Sequence, residues 1–283
     1  MLVKMWGTRG SVPTPGAETA RYGGNTPCVG VTAGDGERII LDAGIGMHWL
    51  GQEMLTEGFA GEAALQQRSE AHILLTHTHW AHIQGIPFFS PNLFPGNQFY
   101  IYGATREEGG IEKLLFQQMD TAYCPVPNFF DDTTGALTSI EDIDDAPFTI
   151  GQTTITARAV NHIAGTICLG YRVANKNSSM AYIPDVEYVC ESDRDASLEL
   201  AKGVDLLIHD AHFTAAEAAE SAGCGHCSDA DAVDIARRAG VSRLLLFHHH
   251  PNRHDDDVET VAASHQGEDF QVEAATERVG YEL

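Results

Sequence analysis

Apolar residues along this chain come in short blocks whose period changes from one block to the next. "VKMW" (3–6) and "RIILDAG" (38–44) read as buried strands, the second ending at Asp42 and Gly44. "GMHWLGQEMLTEG" (46–58) shifts to a spacing of three and four, which predicts a helix. Strands follow at "AHILLTH" (71–77) and "QFYIYGA" (98–104), and a helix at "GIEKLLFQQM" (110–119). "PFTIGQTTITARAVNH" (147–162) reads as two strands about a turn at Gly151. "TICLGYRV" (166–173) and "SMAYIPD" (179–185) are strands joined by the polar turn "ANKNSS". "GVDLLIHDAHFT" (203–214) and "VSRLLLFHHHP" (241–251) are apolar strands that end in polar residues. Between them, "SDADAVDIARRAG" (228–240) opens on a Ser/Asp cap and stops at Gly240, a helix signature. Residues 90–97 and 120–145, rich in Pro, Asp and Thr, are expected as loops. Strands and helices alternate with no repeat and no linker, which predicts an α/β chain folded as one domain over residues 1–283.

Composition narrows the setting. With 283 residues and 43% hydrophobic content, the chain can bury a large core. Its opening residues carry no basic segment followed by an apolar run, and no stretch approaches the ~18 apolar residues of a membrane span. A cytoplasmic protein without a membrane partner is expected. Six irregularly spaced cysteines read as reduced thiols, and "CGHC" (224–227) has no second pair at zinc-ribbon spacing. The formal charge is −23, from 40 acidic and 17 basic side chains. Such a surface repels tRNA and DNA and is indifferent to small phosphate esters.

The chemistry is positional. Ligand-capable residues fall at the ends of successive predicted strands: His77, His79 and His82, then His162, Asp185, His209 with Asp210, and His248. Side chains two apart on an extended segment point the same way, so His77 and His79 can reach one metal ion. His82, beyond the turn, can serve a second. His162 and Asp185 are candidates to complete the set, and a carboxylate can bridge two ions. Asp42 reads as a residue that orients ligands by hydrogen bonding. His249, His250 and His254 read as loop residues, with His249 a candidate substrate contact. Lys4, Arg172 and Arg253 are the candidate phosphate-binding cations.

"THTHWAHIQG" resembles the H-x-H-x-D-H signature of the metallo-β-lactamase superfamily, with Ala81 at the aspartate position. "WGTRGSVPTPG", "RYGGNTPCV", "LDAGIG", "VNHIAGTICLGYRV", "AYIPDVEY", "DLLIHDAHFT", "GHCSDADAVDIARRAG" and "LLLFHHHP" occur in the order found in its phosphodiesterase branch. That branch holds tRNase Z, the phosphoribosyl cyclic phosphate phosphodiesterases and phage anti-Pycsar enzymes that destroy cyclic nucleotide signals. The resemblance implies a four-layer αββα sandwich and two divalent ions, Zn2+ first and Mn2+ as the alternative. It implies His77, His79 and His162 at the first ion, Asp185 as the bridging, catalytic carboxylate, and His82 and His248 at the second. His226 in "GHCS" is similar to the family's acid that protonates the leaving group, and Asp210 in "HDA" to the carboxylate that orients it.

The implied activity is hydrolysis of a phosphodiester. An alkoxide leaving group needs a proton near neutral pH, and histidine titrates in that range. Ala81 removes one ligand of the second ion, so this chain is expected to hold the first ion, bind the second weakly and turn over slowly. Two readings of Ala81 stay open: an engineered inactivating substitution in an otherwise intact site, or a natural degenerate chain that binds a ligand without turnover. Only 22 residues separate His162 from Asp185, where tRNase Z carries the insertion that grips tRNA. A small cyclic or linear phosphodiester such as a cyclic nucleotide is therefore the expected substrate. Lactone or carboxylic ester hydrolysis is the alternative, and a homodimer is expected from the resemblance.

Overall fold

The computed structural model describes residues 1–61, 69–105, 110–124 and 137–283. Strands β1 (Leu2–Gly7), β2 (Cys28–Thr32), β3 (Arg38–Leu41), β4 (Glu70–Leu74), β5 (Gln98–Gly103) and β6 (Leu137–Asp142) form one sheet in sequential order. Strands β7 (Phe148–Ile150), β8 (Thr153–Val160), β9 (Cys168–Ala174), β10 (Ser179–Ile183), β11 (Leu206–Asp210), β12 (Arg243–Phe247) and β13 (Gln271–Ala274) form the second, also in order. The last strand, β14 (Gly280–Glu282), returns to the first sheet beside β1. Strands β3 to β6 run parallel, as do β10 to β13.

Strand alternation sorts the apolar residues into three layers. Val3, Met5, Ile39 and Leu41 face the second sheet and meet Tyr171, Val173, Tyr182, Ile208 and Phe247 in the central core. Their neighbours Trp6 and Ile40 face outward, where α1 (Gly46–Thr56) covers them with Met47, Leu50 and Met54. The short α2 (Trp80–Ile83) follows β4, and α3 (Gly110–Gln118) adds Ile111 and Leu115 to the same outer layer. On the other side α4 (Asp195–Ala201) supplies Leu200 and Ala201. After the short α5 (Ala215–Ala218), α6 (Asp229–Ala239) brings Val233 and Ala236 against Leu207, Leu244 and Leu246. Helix α7 (Asp255–Ala263) precedes β13. The result is the expected four-layer αββα sandwich.

Helix α6 starts and stops at the residues the sequence marks. The Ser228 hydroxyl accepts the Asp231 N–H, the Asp231 carboxylate accepts back, and Gly240 ends the helix at φ 69°. One expectation fails: residues 120–145 are not all loop, because β6 pairs with β5 inside that stretch. It is the outer strand of its sheet, and an edge strand tolerates the polar Ser, Glu and Asp composition that reads as loop. Residues 125–136 of the same stretch lie outside the described residues.

Candidate metal centre and cleft

Both parallel runs deliver their C-terminal strand ends to one rim. Asp42 follows β3, Thr76 and His77 follow β4, and His79 and His82 flank and occupy α2. From the second sheet, His162 follows β8, Asp185 follows β10, Asp210 closes β11 and His248 follows β12. The sheets are stitched directly behind these residues. Leu169 N–H donates to Thr76 O at 2.8 Å, Tyr171 OH to Leu75 O at 2.7 Å, and Tyr182 OH to Asp42 Oδ2 at 2.9 Å.

Two groups of ligand atoms share the Asp185 carboxylate. In the first, His79 Nδ1 lies 2.9 Å from His77 Nε2 and 3.3 Å from His162 Nε2. Asp185 Oδ2 lies 3.7 Å from His77 Nε2 and 3.8 Å from His162 Nε2. In the second, Asp185 Oδ1 lies 3.3 Å from His82 Nε2 and 3.4 Å from His248 Nε2. Ligands ~2.0–2.1 Å from a tetrahedral ion stand ~3.3 Å apart, the scale of all these separations. Asp185 Oδ1, His82 Nε2 and His248 Nε2 are buried and find no hydrogen-bond partner in the protein. Three orphaned buried atoms gathered about one carboxylate oxygen are costly unless a cation joins them. The donor set, imidazole with one carboxylate, fits a divalent metal.

Each ring is held with the correct nitrogen forward. His77 Nδ1 faces Thr76 Oγ1 at 3.0 Å, and that hydroxyl donates to Asp42. Asp42 Oδ2 also takes the His82 Nδ1 proton at 2.8 Å, which turns His82 Nε2 toward Asp185. His162 Nδ1 donates to Gly225 O at 2.6 Å. Asp42 thus works by hydrogen bonding, in the orienting role read from the sequence. The backbone is strained where the strands end: Asp42 and His248 take left-handed φ values of 59° and 58°. Gly10 packs against the His248 ring so closely that a Cβ would sit 2.7 Å from it.

Electrostatics follow from burial and from Asp185. Burial pushes His77 and His248 well below the usual histidine range. Burial would lower His82 too, but Asp185 and Asp42 outweigh it and raise His82 to about 10. Burial acts to raise Asp185, yet His248, His82 and His77 hold it well below the carboxylate range.

Beside this centre His226 Nδ1 lies 2.8 Å from Asp210 Oδ2. Burial pushes the Asp210 carboxyl up to about 6, with His226 pulling the other way. For His226, burial lowers the pKa but Asp210 outweighs it, and the net shift is upward. His226 and the ligand residues His79, His82, His162, Asp185 and His248 line one cleft of about 430 Å³, whose wall also includes Ser11, Trp80, Ala81, Ile163, His212, Phe213 and Cys224. Ala81 sits between the two groups in sequence, buried, with no atom that can ligate.

Several residues fall elsewhere than expected. His209 turns away from the cleft, its Nε2 bonded to Tyr188 OH at 2.8 Å, and burial pushes it down to about 4. His249 is not a substrate contact: it is buried and donates from Nε2 to Ala275 O at 2.9 Å. Lys4 pairs with Glu53, Arg172 caps Leu200 O and Lys202 O, and Arg253 pairs with Glu217, so none of these cations lines the cleft. All six cysteines are free thiols, as expected. His212 was not singled out. It donates from Nδ1 to His248 O at 2.9 Å and stacks on His226 at 4.3 Å, and the "HDAH" spacing two after Asp210 was its only signal.

Comparison with known proteins agrees with this geometry. Residues 37–249 match the Beta-lactamase superfamily domain. Ribonuclease Z of Streptococcus agalactiae is 24% identical over 240 residues, covering 66% of this chain and 74% of that protein. An uncharacterised protein of Mycobacterium bovis is 30% identical over 205 residues, covering 69% of this chain and 68% of its own. In fold the chain is similar to the metallo-β-lactamase fold protein YhfI from Bacillus subtilis, with TM-score 0.70, 22% identity and 99% of each chain covered. The domain match spans most of the sequence and contains both histidine groups and, but for Ser11, the lining of the cleft, and the chain belongs to the metallo-β-lactamase superfamily, in its tRNase Z-like branch.

Proposed function

We propose that this hydrolase-superfamily chain is a metal-dependent phosphodiesterase for a small cyclic nucleotide or cyclic phosphate, working through two divalent ions and weakened by Ala81. The observation that carries the reading is His226, hydrogen-bonded to Asp210 and facing the same cleft as Asp185. Expelling an alkoxide from phosphorus needs an acid, and opening a lactone needs it less. When bound, the ions polarise a phosphate oxygen and ionise a water. His77, His79 and His162 are assigned to one, His82 and His248 to the other, and Asp185 to both. As water attacks phosphorus and the P–O bond to the leaving oxygen breaks, His226 gives its Nε2 proton to that oxygen. Asp210 accepts the hydrogen bond from the His226 Nδ1–H, which stays on the ring, and stabilises the imidazolium before transfer.

Ala81 leaves the second group with His82, His248 and one Asp185 oxygen, which supports weak binding there. It also favours a second reading, a protein that binds its ligand without turnover. The acidic surface and the 22-residue interval between His162 and Asp185 support a small substrate over tRNA or DNA. A cytoplasmic homodimer is part of the proposal; no helix among the described residues is long and apolar enough to cross a membrane.

The test is Ala81→Asp. The parent and variant, loaded with Zn2+ or Mn2+, are assayed on bis-p-nitrophenyl phosphate, cyclic AMP and a lactone panel. A gain of about 100-fold or more in phosphodiester hydrolysis is expected, the scale of a general catalytic group. Unchanged phosphodiester turnover would sink the account of Ala81, and exclusive lactone turnover would sink the phosphodiesterase.

A further inference from the structure

Trp80 is 67% exposed, although it lies between His79 and Ala81 at the start of α2. The other two tryptophans are engaged: Lys4 covers Trp6, and Trp49 packs between His48 and Arg278. Among the described residues no ring or cation stacks on the Trp80 indole. It forms part of the cleft wall with Ile163, itself 41% exposed, and Phe213. Among the described residues that wall contains no Arg, Lys, Asn, Gln or Glu, and its one carboxylate, Asp185, faces the histidines.

A flat aromatic face beside a phosphate-sized polar centre suits one class of ligand. A sugar ring would need amide or carboxylate partners for its hydroxyls, and beyond Asp185, held among the histidines, the described wall offers none. A base read by its edge would need Asn, Gln or Arg, and these are absent too. What remains is recognition through the π-face, which every base possesses. We propose that Trp80, with Ile163 and Phe213, forms a stacking subsite for the base of a nucleotide whose phosphate lies at Asp185. The inference rests on the phosphodiesterase reading and adds a specificity to it. Bases are held by area alone, so purines bind more tightly than pyrimidines, and adenine and guanine bind alike.

The experiment uses the Zn2+-loaded chain as it stands. Calorimetric titration compares the 5′-phosphates of adenosine, guanosine and cytidine with ribose 5-phosphate. The two purine nucleotides should agree within about threefold, cytidine should be weaker, and ribose 5-phosphate weaker than adenosine by about tenfold or more. Trp80→Ala should bring adenosine 5′-phosphate down to the level of ribose 5-phosphate and leave the latter unchanged, while Trp80→Phe keeps most of the difference. Zn2+ content, measured on each variant, should match the parent because the ring is exposed. Equal binding of ribose 5-phosphate and the nucleotides, or full nucleotide affinity in Trp80→Ala, overturns the stacking subsite and leaves the phosphodiesterase reading standing. Failure of the loaded chain to bind any of these phosphates overturns both.

Discussion

Gly225 is the place where one methyl group should do most harm to the centre. Its φ of +82° is left-handed, and a Cβ there would lie 2.6 Å from both His162 Nδ1 and Ile163 Cγ1. Its carbonyl accepts the His162 Nδ1 proton, and the Glu187 carboxylate holds the N–H groups of Gly223 and Gly225, so the loop cannot drift away from the ring. Gly225→Ala therefore carries two costs. A left-handed backbone with a Cβ costs about 1–2 kcal/mol. Overlap with a buried ring adds about 1–3 kcal/mol. The sum, about 2–5 kcal/mol, corresponds to a fall in melting temperature of roughly 4–20 °C for a domain of this size. The ring that must retreat carries Nε2, which stands 3.3 Å from His79 Nδ1 in the first ligand group. The variant should lose metal affinity as well as stability, and the extra melting temperature conferred by Zn2+ should shrink. Thermal unfolding with and without Zn2+, together with metal content after dialysis, reads both effects. A variant that melts within about 1 °C of the parent and keeps the same Zn2+ would refute the argument that Gly225 pins His162.

Three further outcomes are expected. In the Ala81→Asp background, Asp210→Asn removes the charge that raises the His226 pKa, so the alkaline limb of the rate profile should move to lower pH and the rate at pH 8 should fall about tenfold or more. Tyr182→Phe removes a hydrogen bond to the buried Asp42 carboxylate and should cost about 1.5–3 kcal/mol in a denaturant melt. For the metal-free protein, His82 has a folded pKa of about 10, above its ordinary 6.5, so its contribution is complete below pH 6.5 and lost as pH rises through about 10. That contribution is at most about 5 kcal/mol, and melts of metal-free protein between pH 6.5 and 10 should show it. A metal-loaded sample should lack this decline, because the ion displaces the proton.

Much of the centre can be read from the sequence because it is built on strand ends. A strand that stops at a polar residue declares that residue's position on the rim, and His77, Asp185 and His248 after parallel strands and His162 after the antiparallel β8 all obey this. His209 shows where the rule must be sharpened. Adjacent residues in a strand face opposite sides, so of His209 and Asp210 only one can reach the cleft. Ile208 faces the central core and Leu207 the outer one, which sends His209 outward toward Tyr188. His249 fails for a related reason: the left-handed turn at His248 redirects the chain, and no apolar pattern encodes a φ of 58°. Trp80 could not be placed from periodicity at all, since its exposure depends on which elements fail to cover it. The strand β6 was missed because edge strands and loops share a composition.

The histidines of the centre are divided between the two sheets. His77, His79 and His82 belong to the connection after β4, while His162, Asp185 and His248 follow strands of the other sheet. An ion seated between His77, His79 and His162 would thus be bonded to both halves of the sandwich at one edge. Such an ion would act as a clasp across a seam closed by apolar packing and by hydrogen bonds that include those from Leu169, Tyr171 and Tyr182. Chelation should therefore loosen the molecule from one side only, with amide exchange rising first along the ends of β4, β8 and β10 while the far ends of the same strands stay protected.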